Sequence, residues 1–152
     1  MGCLPPDDVV AALESALHLK AISRNTFERL IAGAPQRLQH VLEEATPGAQ
    51  SGYETHSRLR LRRAGYTVIP QVFIPGAGHI DNLIEDCVDL ETDGREFHGD
   101  TFEEDRKRDL AVEWMGIRVL RVPARMVDTD WPYISSTVHR MVDEQQHRRG
   151  RL

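Results

Sequence analysis

Acids fall at every second position along Asp89–Asp93, the stretch DLETD. Alternate side chains of an extended chain share a face, so Asp89, Glu91 and Asp93 are expected to line one side of a strand. Aligned like charges repel, and strands seldom carry three of them without a counter-ion. Read on pattern alone, the row is either a solvated acidic face or one side of a site that binds a cation. The preceding segment sharpens the choice. HIDNLI and CVDLETD read as paired strands around Glu85 and Asp86. A two-residue turn there would set Asp81 opposite Leu90 and split the carboxylates across the sheet. One further loop residue sets Asp81 opposite Glu91, and this longer turn is the one expected.

The rest of the chain frames that hairpin. PPDD opens the first helix, with Asp7 or Asp8 as its expected cap, and VVAALESALHLKA continues it at helical spacing. ISRNTFERLIAG reads as a second helix capped near Ser23 and stopped at Gly33, and PQRLQHVLEEA as a third. From Ser51 the regime changes. SGYETHSRLRLRRAG reads as a helix ending at Gly65, and YTVIPQVFI as a strand interrupted or bulged at Pro70. After the acidic strand, TFEEDRKRDLAVEWMG is a helix whose inner stripe is expected to be Leu110, Ala111, Trp114 and Met115. IRVLRV is a strand with Arg118 and Arg121 on opposite faces. A last helix runs from about Pro132 into a basic end, HRRGRL, expected to be disordered. Trp114 and Trp131 read as packing anchors. The order helix, three strands, helix, strand, helix predicts an α/β fold with a mixed central sheet flanked by helices and an N-terminal helical extension. The expected divisions are a helical segment over residues 1–50, a core over 51–128, and a C-terminal helix and tail over 129–152.

A chain of 152 residues can bury one sizeable core, and its net charge of −5 argues against wholesale coating of nucleic acid but not against a local basic cleft. Two cysteines, Cys3 and Cys87, make no disulfide framework, and a reduced, cytoplasmic setting is expected with Cys87 a buried thiol. No apolar run is long enough to span a membrane, and the N-terminus has no signal-peptide layout.

Taken together, RLRLRRAGY, PQVFIP, HIDNLI, DLETDGREFH and DRKRDLAVEWMGIRVLRV resemble the PD-(D/E)XK nuclease superfamily. Within it they are most similar to the branch of the very-short-patch-repair endonucleases and the domain-of-unknown-function 559 proteins. The resemblance covers about Ser51 to Arg125, and ALESALHLKAISRNTFERLI is similar to the segment preceding this domain in AbiEi-like antitoxins or regulators. Those usually carry a winged-helix region upstream, so a shortened or stand-alone version is expected here. The resemblance implies a restriction-endonuclease-like core and a metal-dependent DNA endonuclease using Mg²⁺ or Mn²⁺. Glu54 matches the acid of the leading helix, which orients a metal-bound water. Asp81 matches the central metal aspartate, and Glu91 the acid of the (D/E)-x-K step. Asp93 stands where that motif has lysine, although the 559-type branch itself commonly reads E-x-D-G. His98 matches an active-site histidine, with the near-neutral pKa of a general acid or base. Gln71 is expected to help position the site. The missing cation is expected from Lys107, read as lying on the inward edge of its helix.

Arg58 and Arg62 fall on the same helix face as Glu54, and with Arg106, Lys107, Arg108, Arg118 and Arg121 they are candidates to grip backbone phosphates. The competing reading is a module that retains the nuclease fold without cleavage and binds DNA or a partner in a toxin–antitoxin or regulatory system. In either case DNA is the expected partner, and the N-terminal helices dock on the core or make a homodimer.

Overall fold

The computed structural model describes residues 4–94 and 102–150, with no account of the Phe102 side chain. Its elements run α1 (Pro6–His18), α2 (Arg24–Ala32), α3 (Gln36–Leu42), α4 (Gly52–Arg63), β1 (Val68–Ile74), β2 (Gly78–Ile84), β3 (Val88–Asp93), α5 (Phe102–Trp114), β4 (Arg118–Pro123), α6 (Met126–Thr129) and α7 (Trp131–Arg149). Two compact units divide the chain, Met1–Arg60 and Leu61–Leu152. The division falls inside α4, ten residues beyond the composition change at Ser51, and α7 belongs to the same unit as the sheet.

In the first unit, Val10, Val41, Leu42 and Leu59 form a buried cluster with Leu13, Ile31 and Leu38 against it. Ser23 caps α2 as expected, its hydroxyl accepting from Thr26 N at 3.2 Å. The cap expected at Asp7 or Asp8 is not made. Helix α1 begins at Pro6 after Pro5, and both aspartates lie in its first turn, where the helix dipole favours negative charge. A buried ion pair ties three segments of this unit together. Arg58 and Glu14 are both fully buried, with Nη2 to Oε1 at 2.6 Å. Thr46 N and Thr55 Oγ1 also donate to the Glu14 carboxylate, at 2.6 and 2.5 Å. Arg58 in turn donates to Thr46 Oγ1 at 2.7 Å and to the Glu44 carbonyl at 3.2 Å.

In the second unit the strands lie in the order β1-β2-β3-β4, antiparallel except for the parallel pair β3–β4. This is an α/β arrangement, a four-stranded mixed sheet flanked by helices. The odd spacing of Arg118 and Arg121 shows which helix covers which face. Arg118 bonds Glu144 of α7 at 2.7 Å, whereas Arg121 bonds Asp109 of α5, so α5 and α7 lie on opposite sides. Val112 of α5 and Ile117 join Ile74, Ile80 and Leu83 in one core cluster. On the other side Ile134, Val138, Met141 and Val142 are the buried stripe of α7, which packs on β3 and β4.

Several sequence expectations change here. Leu110, Trp114 and Met115 are exposed, Trp114 by 90%, and Val112 is the buried residue of α5. Helix α5 carries little amphipathic contrast, so its large apolar side chains do not mark its buried face. The β1–β2 register runs on unbroken either side of Pro70, and the irregular residue is its neighbour Gln71, at φ 53°. The basic end is not disordered through His147–Arg149. These residues complete α7, and Arg149 donates to the Asp86 carbonyl at 2.8 Å. Cys87 is buried, as expected. Among the described residues no helix is long and apolar enough to cross a membrane.

Candidate functional site

The β2–β3 turn decides where the acids go. Ile84 pairs with Val88, leaving a three-residue loop of Glu85, Asp86 and Cys87, the longer turn that the carboxylate spacing requires. Glu85 and Asp86 both take left-handed backbone, at φ 48° and 54°, and Cys87 N closes the turn on the Ile84 carbonyl at 3.0 Å. Leu83 pairs with Asp89, and the same register carried two residues further brings Asp81 to Glu91. Side chains take over backbone bonding along that stretch. Asp89 Oδ1 accepts from Asn82 N at 3.3 Å, and Asp81 Oδ2 accepts from Thr92 N at 3.2 Å. Gln71 stands opposite Asp81 in the β1–β2 register, between the bonded pairs Pro70–Asn82 and Val72–Ile80. Its left-handed backbone is a strained conformation for a side chain of that size and sits beside the acids.

Asp89 and Glu91 are buried and Asp93 is half-buried. Burial pushes the Asp89 carboxyl up to about 8 from its ordinary 3.8, and the neighbouring charges of Glu91 and Asp81 push it further the same way. Its Oδ2 is buried and accepts no hydrogen bond. Burial and Glu91 also raise the Asp93 carboxyl, with Arg121 and Arg108 acting against them. The positive charge at this face comes from two arginines. Arg108 of α5 reaches Glu91 Oε1 at 2.7 Å, and Arg121 of β4 reaches Glu91 Oε2 at 2.6 Å. Arg108 is held as well by the carbonyls of Ala77 and His79, at 3.2 and 2.8 Å. Arg121 also grips Asp109 through two nitrogens, at 3.2 and 2.5 Å, and the hydrogen bond to Asp109 is the main reason its pKa is raised.

The expected site residues belong to different parts of the chain. Asp81, Glu91, Asp93 and Gln71 come together on the sheet. His98 lies outside the described residues. Glu54 belongs to the other compact unit, at the start of α4. There Ser51 Oγ accepts from Glu54 N at 3.2 Å, as a helix cap does, and the Glu54 carboxylate accepts from Gln50 N, one residue before the cap, at 2.9 Å. Lys107 is exposed on α5 rather than inward, and Arg108, one residue on, supplies the cation. Arg58 is sealed in its pair with Glu14, so it presents no charge to a phosphate. Arg62 donates to the Val68 carbonyl at 2.7 Å, and Arg106 is an exposed partner of Asp109 at 3.3 Å.

Asp89, Arg108 and Arg121 are the residues the motif reading left out of the site. Each had a signal. Asp89 is in phase with Glu91, Arg108 lies one turn before the buried Val112, and Arg121 is the parallel partner of Glu91.

Among the described residues no three His, Cys, Asp or Glu side chains converge as a metal-holding group. The donors do suit a hard cation, which takes one or two carboxylates and completes its shell with water and phosphate. The buried Asp89 Oδ2 has no hydrogen-bond partner, and its carboxyl is pushed toward the protonated form, as expected of an acid with no counter-ion beside it. No family model, curated protein or solved structure matches the chain.

Proposed function

We propose that this chain is a metal-dependent DNA endonuclease of the PD-(D/E)XK type, hydrolysing phosphodiesters with Mg²⁺ or Mn²⁺. The observation that carries the reading is the acidic sheet face, where the register sets Asp81 toward Glu91 with Asp89 in phase beside it, and one buried Asp89 oxygen has no hydrogen-bond partner. Asp81 and Glu91 would hold the ion with Asp89 beside them, and the ion would activate water and neutralise charge developing on the phosphate. Gln71, opposite Asp81 in the register, would help position the site. Arg108 and Arg121 place near Glu91 the positive charge that Asp93 cannot supply. His98 is the proposed proton carrier, and the exposed Arg106 and Lys107 are the proposed phosphate contacts.

Supercoiled plasmid and single-stranded DNA, incubated with Mg²⁺ or Mn²⁺, test the reading. Wild type should nick or linearise the plasmid, and Asp81→Ala and Glu91→Ala should each lose at least about a hundredfold in rate, the scale of removing a transition-state charge stabiliser. Cleavage that survives both substitutions would sink the assignment. A second reading is favoured by one observation, that both Glu91 oxygens are already held by guanidiniums. On that reading the fold is a non-cleaving module for DNA or a regulatory partner. DNA retention without cleavage in either metal would support it.

A further inference from the structure

The Glu91 carboxylate is held in a way a plain metal ligand would not be. Both oxygens take a charge-assisted hydrogen bond, from Arg108 at 2.7 Å and Arg121 at 2.6 Å. The side chain is only 4% exposed, whereas the two arginines are 30% and 33% exposed. The carboxylate is thus shielded by the groups that themselves reach solvent. The two arginines are anchored differently. Arg121 keeps a second carboxylate, Asp109, on two of its nitrogens. The other hydrogen bonds of Arg108 go to two neutral carbonyls, Ala77 and His79, while the Asp93 carboxylate faces both arginines, with no hydrogen bond to either among the described residues. A guanidinium exchanges a carboxylate for a phosphate with little loss, because both present paired anionic oxygens to its planar fork. Arg108 is therefore the member of the pair that an incoming phosphodiester can draw away, while Arg121 stays with Asp109.

Building on the nuclease reading, we infer that Arg108 is a latch on Glu91. It keeps the carboxylate from a divalent cation until a nucleic-acid phosphate takes up the guanidinium, so that metal is bound together with substrate. Arg121 is a positioning residue that keeps Glu91 oriented throughout. The latch would confine a hydrolytic site to moments when DNA is present, and the protein alone would bind the ion weakly.

Calorimetric titration with Mn²⁺ reads this without any cleavage. Arg108→Gln should bind Mn²⁺ about tenfold more tightly than wild type, the effect of removing one competing charge pair of ordinary strength. The gain should vanish in the Arg108→Gln/Glu91→Gln double variant, which shows that it passes through Glu91. A mixed-sequence DNA duplex, with its own Mn²⁺ uptake subtracted, should tighten wild type but leave Arg108→Gln nearly unchanged. Circular dichroism confirms that each variant is folded, and Arg108→Lys serves as a second variant that keeps the charge without the fork. An Arg108→Gln affinity equal to or weaker than wild type overturns the latch, as does a gain that persists without Glu91. These outcomes are separable from the nuclease reading. Cleavage that needs Asp81 with no change in Mn²⁺ affinity leaves the nuclease and removes the latch. Tighter Mn²⁺ binding in a protein that never cleaves leaves the latch and removes the nuclease.

Discussion

Two arginine–carboxylate assemblies sit in the two units of this chain, built from the same chemistry and sealed to different degrees. Glu14 and Arg58 are both fully buried, and threonines and backbone groups take up most of the remaining bonding capacity. Glu91 is nearly as buried as Glu14, but its two arginines open to solvent, and further carboxylates lie beside it. The difference separates structure from function. A sealed pair has nowhere to go, so it joins α1, the loop after α3 and α4. A half-open pair can exchange partners, which is what binding a phosphate or an ion requires.

The comparison can be broken by substitution, and the sealed pair should give the largest effect. Arg58→Ala strips Glu14 of its counter-charge in a buried setting and should cost about 3–5 kcal/mol in urea denaturation. Replacing both members by apolar residues of similar volume should recover most of that loss. If Arg58→Ala costs under about 1 kcal/mol, the pair is not sealed and the contrast fails.

The next effect concerns the acids around Glu91 in protein stripped of metal by a chelator. The Asp89 carboxyl has an ordinary value of 3.8 and a folded value of about 8. Its folded pKa is raised, so its contribution to stability is fully present below about pH 4 and is lost as pH rises through about 8. Between those limits the folded chain holds a proton that the unfolded chain has released. Stability should then fall by up to about 1.4 kcal/mol per pH unit, and Asp89→Asn should flatten that slope in denaturant midpoints measured across the range. A slope unchanged by Asp89→Asn would place the titrating group elsewhere.

The smallest effect should come from the half-open pair. Arg108→Gln leaves Arg121 on Glu91, and its guanidinium is partly screened by solvent, so the expected cost is about 1 kcal/mol or less. A loss matching that of Arg58→Ala would make Arg108 a structural anchor and count against its role as a latch.

How much of this was legible beforehand differs by feature. The helix ends at Ser23 and Gly33, the four strands, and the three-residue turn that brings Asp81 toward Glu91 all follow from local rules. Capping, alternation and turn length act over a few residues, and DLETD with its neighbours carries that information in order along the chain. The helix faces did not follow from such rules. Helix α5 has apolar residues on more than one side, and only packing against the sheet selected Val112 and left Trp114 in water. That choice of face turned Arg108 rather than Lys107 toward Glu91. The fates of Arg58 and Arg121 were equally non-local. Arg58 meets Glu14 across 44 positions and Arg121 meets Glu91 across 30. The sequence by itself determined which charges would be present and on which strand faces they would fall. Only the tertiary structure decided which arginine answers which carboxylate, because those pairings depend on how distant segments come together and on how much water is left between them.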